Sequence, residues 1–366
     1  MNFRKRKDDY FVWVIAPYLE TEDPNLQYYY DYTQSIAEYS RVFHEIGCEW
    51  KWVNVTLKTV NEVIEGIKQH PTRKTSIVIN LCDGDEVNGI PGVSVIHALE
   101  KHNLVYTGSN DLFYQITTSK IPMKEAFDLH RVPTPAWRII GQEDVDMQSM
   151  FDDVGEVLIV KPAVSAGSLG LSIKNVVSNE ADFSKILEEM QQGYRGWKLD
   201  TGGLFVEEFV EGREFTTFVV GSSTHPETMR FYPPVERVFH ASLPPREQFL
   251  SFDRLWETYD TETPLTEGSL YEYREAEKQL IPSLKRISLK AFQSVGGMGY
   301  GRIDIRMDKK SGKFYVLEIN AQCGLSEDEN YTSIGAILRF AGKSFSYLIV
   351  EIIEDGLTRY GAKHNA

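Results

Sequence analysis

The chain opens with short apolar runs of strand length, separated by stretches in which apolar positions return every three or four residues. Val12 to Ala16, Trp52 to Val55 and Ser76 to Asn80 are rich in β-branched residues, and helical periodicity fills the intervals. This order predicts a βαβαβ unit with a parallel sheet. In the first interval Tyr29, Tyr32, Ile36, Tyr39, Phe43 and Ile46 fall on one helical face, and Gly47 is placed to stop the helix. Such an aromatic stripe reads as core rather than as a binding surface. Leu104 to Ser109 reads as the last strand of a Rossmann-like first domain over residues 1–112.

Beyond Ile79 the pattern breaks. Asp83, Gly84, Asp85, Glu86, Asn88, Gly89, Pro91 and Gly92 crowd into a loop past the carboxyl end of a parallel strand, where open α/β sheets place ligands. A helix is expected around Lys120 to His130, within a second domain at 113–203. From Val157 the order becomes strand, glycine-rich loop, strand, helix, strand without regular crossovers, which predicts antiparallel α+β architecture and a third domain at 204–366. The stretch from Arg246 to Glu272 has no clear period. A loop that long in a compact chain is usually functional or disordered.

Composition narrows the partners. The 366 residues, 42% of them hydrophobic, suffice for two or three domains. Thirty-nine Lys and Arg against 53 Asp and Glu give a formal charge of -14, which opposes attraction to nucleic acid or anionic lipid. The three cysteines stand singly, with no metal-ligand spacing and no disulfide framework, so a reducing compartment is expected. No run approaches the ~20 apolar residues that span a bilayer. A cytoplasmic protein acting on small molecules, without membrane or nucleic-acid partners, is the expectation.

Three stretches carry candidate chemistry. The strand Val157 to Val160 delivers Lys161 into a loop of small residues that includes Ser165, Ala166, Gly167, Ser168 and Gly170. Backbone N–H groups of such a loop can close on phosphate oxygens while the lysine adds charge. In Leu204 to Thr216, two strand-like runs flank a turn at Glu211-Gly212 and carry Glu207, Glu208 and Glu214, which suit an adenine amino group and ribose hydroxyls. The sharpest is Gly301 to Arg306, a turn at Lys309 to Gly312, then Phe314 to Asn320. Alternation puts Arg302, Asp304 and Arg306 on one face, and Glu318 with Asn320 on one face of the next strand. In an antiparallel hairpin Asp304 and Glu318 face each other, and a divalent cation would offset their repulsion. Exposed edge carboxylates are the structural alternative.

In this order and spacing the stretches resemble the ATP-grasp superfamily, specifically its D-alanine–D-alanine ligase branch. The resemblance runs over nearly the whole chain, from Asn80 to Gly92, through Tyr106 to Ser109 and the lysines Lys120 and Lys124, to Asn320 and beyond. It implies an ATP-grasp fold: an N-terminal pre-ATP-grasp domain followed by two α+β subdomains that grip ATP. It further implies that Lys120 and Lys161 meet ATP phosphates under the loop Ser165, Ala166, Gly167, Ser168. Glu207 and the backbone near Val210 would hold adenine, and Glu214 the ribose. Asp304, Glu318 and Asn320 match ligands of magnesium, or of manganese in its place. Arg302 and the Gly324 amide match the groups that stabilise a tetrahedral oxyanion. Homodimerisation is expected by the same analogy.

Departures fall where amino-acid substrates would bind. Ala16-Pro17-Tyr18-Leu19-Glu20 replaces the glycine-rich entry with its serine and glutamate, and Leu255-Trp256 replaces a lysine-tyrosine pair. Gly167 stands at a partner serine, and Glu329 where a carboxylate-binding serine would follow Gly324, with Ser333 farther along. The expected activity is ATP-dependent ligation of a carboxylate to an amine through an acylphosphate, on amino-acid-like substrates other than two D-alanines, with 246–272 as a lid. D-alanine–D-alanine ligation itself, a small-molecule kinase and a non-catalytic nucleotide-binding module are the rivals. The eight histidines and Cys323 read as structural.

Overall fold

The computed structural model describes residues 3–22, 30–71, 73–141, 146–165, 168, 170–193, 197–255, 263–265, 267–328, 330 and 332–365, without the side chains of 253, 255 and 362–365. The β-branched runs form the strands β1 (Tyr10–Pro17), β2 (Glu49–Val55), β3 (Thr75–Asn80) and β4 (Val105–Tyr106) of a parallel sheet in the order β2-β1-β3-β4. Helices α1 (Thr33–Ile46), α2 (Val60–Lys68) and α3 (Val93–Lys101) fill the intervals. The last strand is therefore shorter than the run Leu104 to Ser109, because only Val105 and Tyr106 find partners on β3.

In α1, Tyr39, Val42, Phe43 and Ile46 are buried against the sheet and the carboxyl-terminal helices. Gly47 ends the helix at φ 71°, donating to Phe43 O. Ile36 departs from the expected stripe and is 39% exposed, since the buried arc centres on Tyr39, Val42 and Ile46 and leaves Ile36 at its edge. Tyr29 lies outside the described residues.

Helices α4 (Asp111–Thr118) and α5 (Lys120–Leu129) lead to a second, four-stranded sheet built from β5 (Trp137–Ile140), β6 (Leu158–Pro162), β7 (Val176–Val177) and β8 (Leu204–Glu208), ordered β5-β8-β6-β7 and antiparallel. Helices α6 (Met147–Val154) and α7 (Glu180–Gln192) cover one face of it.

The third sheet is the largest, with β9 (Gly212–Ser222), β10 (His225–Phe231), β11 (Val235–Phe239), β12 (Tyr271–Glu275), β13 (Met298–Asp308) and β14 (Phe314–Ala321). Its path is β12-β11-β9-β13-β14, with β10 beside β9, and all of its pairs are antiparallel. The short helix α8 (Phe252–Leu255) precedes β12, while α9 (Ile281–Ser294), α10 (Ser333–Ala341) and α11 (Phe345–Asn365) complete the chain. The two runs around Glu211-Gly212 thus belong to different sheets. Gly212 sits at φ 148°, where a Cβ would stand 2.1 Å from Met307 O, so the crossing needs glycine.

One apolar cluster joins Phe113, Met123 and Phe127 of α4 and α5 to α9 and the large sheet. Gln322 fastens the parallel sheet to the end of β14, accepting from Ser109 N at 2.6 Å and donating to Asn80 O at 2.7 Å. No helix among the described residues is long and apolar enough to cross a membrane.

Candidate active site

Between the second and third sheets runs a cleft of about 470 Å³. Lys120, Lys161, Ser165, Ser168, Glu207, Val210, Glu214, Arg302, Asp304, Glu318, Asn320 and Gly324 all line it. Candidates from α5, β6, β8, β9, β13 and β14 converge because the large sheet turns one pleated face toward the smaller one. Ala166 and Gly167 lie outside the described residues, as do Trp256 and Glu329.

The hairpin β13–β14 forms as its alternation predicts, with Arg302 opposite Asn320 and Asp304 opposite Glu318. A register shift follows Asp304, where the pairing resumes as Ile305 with Val316. The protein's own donors already offset the two facing carboxylates. Asp304 Oδ2 accepts from Arg302 Nε at 3.1 Å, Arg302 Nη2 at 2.9 Å and Asn320 Nδ2 at 3.2 Å. Asp304 Oδ1 accepts from Thr216 at 2.9 Å. Glu318 accepts from Asn320 Nδ2 at 3.1 Å and lies 3.6 Å from Lys120 Nζ. Burial opposes ionisation of Glu318, but Lys120 and Arg302 outweigh it and lower its pKa to about 2. Two carboxylates and an amide on adjacent strands are an oxygen donor set of the kind that suits magnesium.

Lys120 also donates to the carbonyl and the hydroxyl of Ser165, both at 3.1 Å. Lys161 donates to Glu207 Oε1, and Lys124 donates to Glu207 Oε2. Both Lys124 and Glu207 are about 1% exposed in their side chains. Burial works against each charge: it pulls the Lys124 pKa down, whereas for Glu207 the two lysines overcome burial and lower the pKa. Lys124 was legible only as a lysine one helical turn beyond Lys120, and the spacing gave no hint of its buried partner.

Glu214 is clamped likewise. Arg237 donates to its Oε1 and Arg306 to its Oε2, the latter at 2.9 Å. Arg306 Nη1 also reaches Val210 O at 3.0 Å, and Arg306 Nη2 reaches Gln248 O. Carboxylates have about four lone-pair sites, so these ion pairs leave Glu207 and Glu214 able to accept further hydrogen bonds. Arg237 had no signal in the sequence, because nothing in Val235 to Phe239 marks which residue faces the cleft.

The segment after β11 folds across the cleft. Phe249 meets Phe209 edge-on at 5.9 Å, and Phe252 N donates to Leu171 O at 2.7 Å. Arg254, 3% exposed, donates to Glu247 and to Thr263 O. At the opposite end Ser35, Ser326, Thr332 and Ser333 line the wall, and Ser326 donates to the buried Glu38 at 2.9 Å. Glu20, just past β1, is exposed and lies 3.9 Å from Lys58.

The family model for the D-ala D-ala ligase C-terminus matches residues 128–354. The D-alanine–D-alanine ligase of Idiomarina loihiensis is 29% identical over 265 residues, 72% of this chain and 75% of that protein. One from Acinetobacter baumannii is 28% identical over 274 residues, 75% of this chain and 77% of that protein. Among solved structures, D-alanine–D-alanine ligase from Bacillus anthracis complexed with ATP superposes at TM-score 0.65 with 19% identity, covering 96% of this chain and 99% of that one. The Coxiella burnetii ligase superposes at TM-score 0.67 with 16% identity, covering 97% of each chain. At these identities the structures speak for a shared fold.

Proposed function

Since the chain belongs to the D-ala D-ala ligase C-terminus family and is an ATP-dependent carboxylate–amine ligase of the ATP-grasp type, we propose that it ligates amino-acid-like substrates other than two D-alanines. The carrying observation lies at the end of β1. Glu20, the first acid after that strand, is exposed beside Lys58 instead of facing the cleft. An amine held there as in the resembling family has no carboxylate from this segment of the described residues.

In this reading the nucleotide lies between the second and third sheets. The base sits near Val210 and Glu207, the ribose near Glu214, and the phosphates near Lys120, Lys161, Ser165 and Ser168. Asp304, Glu318 and Asn320 would hold magnesium, or manganese in its place, which neutralises phosphate charge when bound. A substrate carboxylate oxygen attacks the γ-phosphorus of ATP. The bond to the bridging oxygen breaks, and ADP leaves with that electron pair. Lys120 and Lys161 offset charge on the transferred group, which is the main catalytic task in phosphoryl transfer.

An amine then attacks the carbonyl of the acylphosphate, forming the C–N bond and a tetrahedral oxyanion. The carbonyl re-forms as the C–O bond breaks, phosphate leaves with that electron pair, and the amine nitrogen gives up its proton to the departing phosphate or to solvent. Arg302 spends Nε and Nη2 on Asp304, while its Nη1 has no protein hydrogen bond among the described residues. Arg302 and the Gly324 amide stabilise the oxyanion formed between attack and departure. Acylphosphates hydrolyse in water, so the segment carrying Phe249 and Phe252 acts as the lid. The three buried free thiols go with a reducing cytoplasm.

The experiment is phosphate release measured with ATP and a panel of amino acids and small acids, singly and in pairs. Turnover on an unlike pair, dependent on the amine, supports the proposal. Turnover on D-alanine alone restores the activity of the named relatives and overturns the proposal.

A further inference from the structure

Arg237 is not explained by the roles above. It enters the cleft from β11, where it stands opposite Glu214 of β9, which in turn stands opposite Arg306 of β13. Three neighbouring strands thus present arginine, glutamate and arginine in one row. Two guanidinium charges face one carboxylate, so the row carries a surplus positive charge in a chain of net charge -14. Burial opposes the charge on Arg237, but Tyr273, Glu214 and Asp304 outweigh it and raise its pKa.

The guanidinium is held rigidly. Nη1 donates to Glu214, and Nη2 donates to the Tyr273 hydroxyl at 3.0 Å. Its carbon lies 5.2 Å from the Tyr271 ring centre and 5.4 Å from that of Tyr273, within cation–π range. Nε is buried and has no hydrogen-bond partner among the described residues. Arginine is 6% exposed here, and a buried charged donor left unpaired is costly unless something fills it. Arg237 lines the cleft, and with Nη1 and Nη2 each giving one of their N–H groups to Glu214 and Tyr273, a fixed guanidinium with donors to spare suits an anionic oxygen.

Position selects which anion. The row at Glu214 lies two residues along β9 from Thr216, which pairs with Asp304, a spacing of roughly 7 Å along a strand. Given the nucleotide reading above, on which this inference rests, the polyphosphate runs from the ribose at Glu214 toward Asp304. The acid substrate would lie farther on, past Arg302. We propose that Arg237 is a phosphate-binding residue whose guanidinium donates to an oxygen of the nucleotide polyphosphate.

The test is calorimetric binding of ATP, ADP, AMP and adenosine, with magnesium present, to the wild-type chain and to Arg237→Met and Arg237→Lys. Arg237→Met should weaken ATP and ADP about ten- to a hundredfold, the worth of a hydrogen bond to a charged group, and leave adenosine within about twofold. Arg237→Lys keeps the charge without the planar fork and should fall between. It also carries the test if the methionine variant loses its cooperative unfolding transition. Equal weakening of ATP and adenosine would overturn the proposal, because it would mean that Arg237 only steadies Glu214. Unchanged ATP binding in the variants would overturn it too. If the wild-type chain binds none of the four ligands, the nucleotide reading itself fails, and the inference with it.

Discussion

Lys120 Nζ lies 3.6 Å from Glu318 Oε2 and 3.1 Å from both oxygens of Ser165. A single ammonium therefore ties the start of the glycine-rich loop on one sheet to a carboxylate on the other. Replacing it with Lys120→Met should untie the loop and remove the positive charge proposed to face the transferred phosphoryl group. ADP formation is expected to fall on the order of a hundredfold, with the far-ultraviolet circular dichroism unchanged.

Asp304 gathers four hydrogen bonds from Thr216, Arg302 and Asn320. In Asp304→Asn the cleft loses one of its two facing carboxylates while keeping side-chain size. ADP release should drop by about two to three orders of magnitude, and the magnesium concentration needed for half-maximal rate should rise. Undiminished turnover would remove Asp304 from the proposed metal site.

Glu318 gives a pH prediction whose sign follows from linkage. Burial opposes its ionisation, but Lys120 and Arg302 lower the pKa from the usual 4.5 to about 2 in the folded chain. The native state therefore binds the proton less readily than the unfolded chain. The stabilisation is complete above about pH 4.5 and is lost as the pH falls toward 2. Urea denaturation of wild type and Glu318→Gln should show a stability gap near neutrality that closes through that window. A gap that does not vary with pH would contradict the assignment.

The buried contact of Lys124 with Glu207 predicts a folding phenotype. Lys124→Met leaves the buried Glu207 with Lys161 as its one remaining cation, so it should destabilise the chain by about 3 kcal/mol. Equilibrium urea unfolding measures it. Lys161 also pairs with Glu207, so a smaller loss would show that one lysine suffices.

All three cysteines are buried and unpaired. Burial pushes the Cys48 thiol up to about 11 and the Cys323 thiol up to about 12, and raises Cys82 well above its usual value. A thiol reagent such as DTNB should leave the native protein unmodified and titrate three groups after unfolding. Cys323→Ala should keep ligase activity, since an acylphosphate route uses no thiol. Loss of activity in a folded variant would give Cys323 a role that its burial does not suggest.

Much of the site was legible because its strongest features are local. The alternation through Gly301 to Asn320 sets which side chains share a face, and the intervening turn makes the strands antiparallel neighbours. Lys161 likewise follows from a buried strand that runs into small residues. Other features were hidden because they join distant segments. Glu207 and Lys124 are 83 residues apart, and Glu214 and Arg306 are 92 apart. Neither local periodicity nor composition encodes such a pairing.

The sequence by itself determined the strands and helices of the first βαβαβ unit, the strand that carries Lys161, the Gly301–Asn320 hairpin and the residue types that chemistry requires. Those follow from backbone sterics and from the repeat of apolar positions over a few residues. Tertiary structure alone decided that Leu204–Glu208 joins the second sheet while Gly212–Ser222 joins the third, and that Arg237 turns into the cleft. Sheet membership depends on which distant edge a strand can pair with and which faces can be buried together. That competition is settled over the whole chain at once.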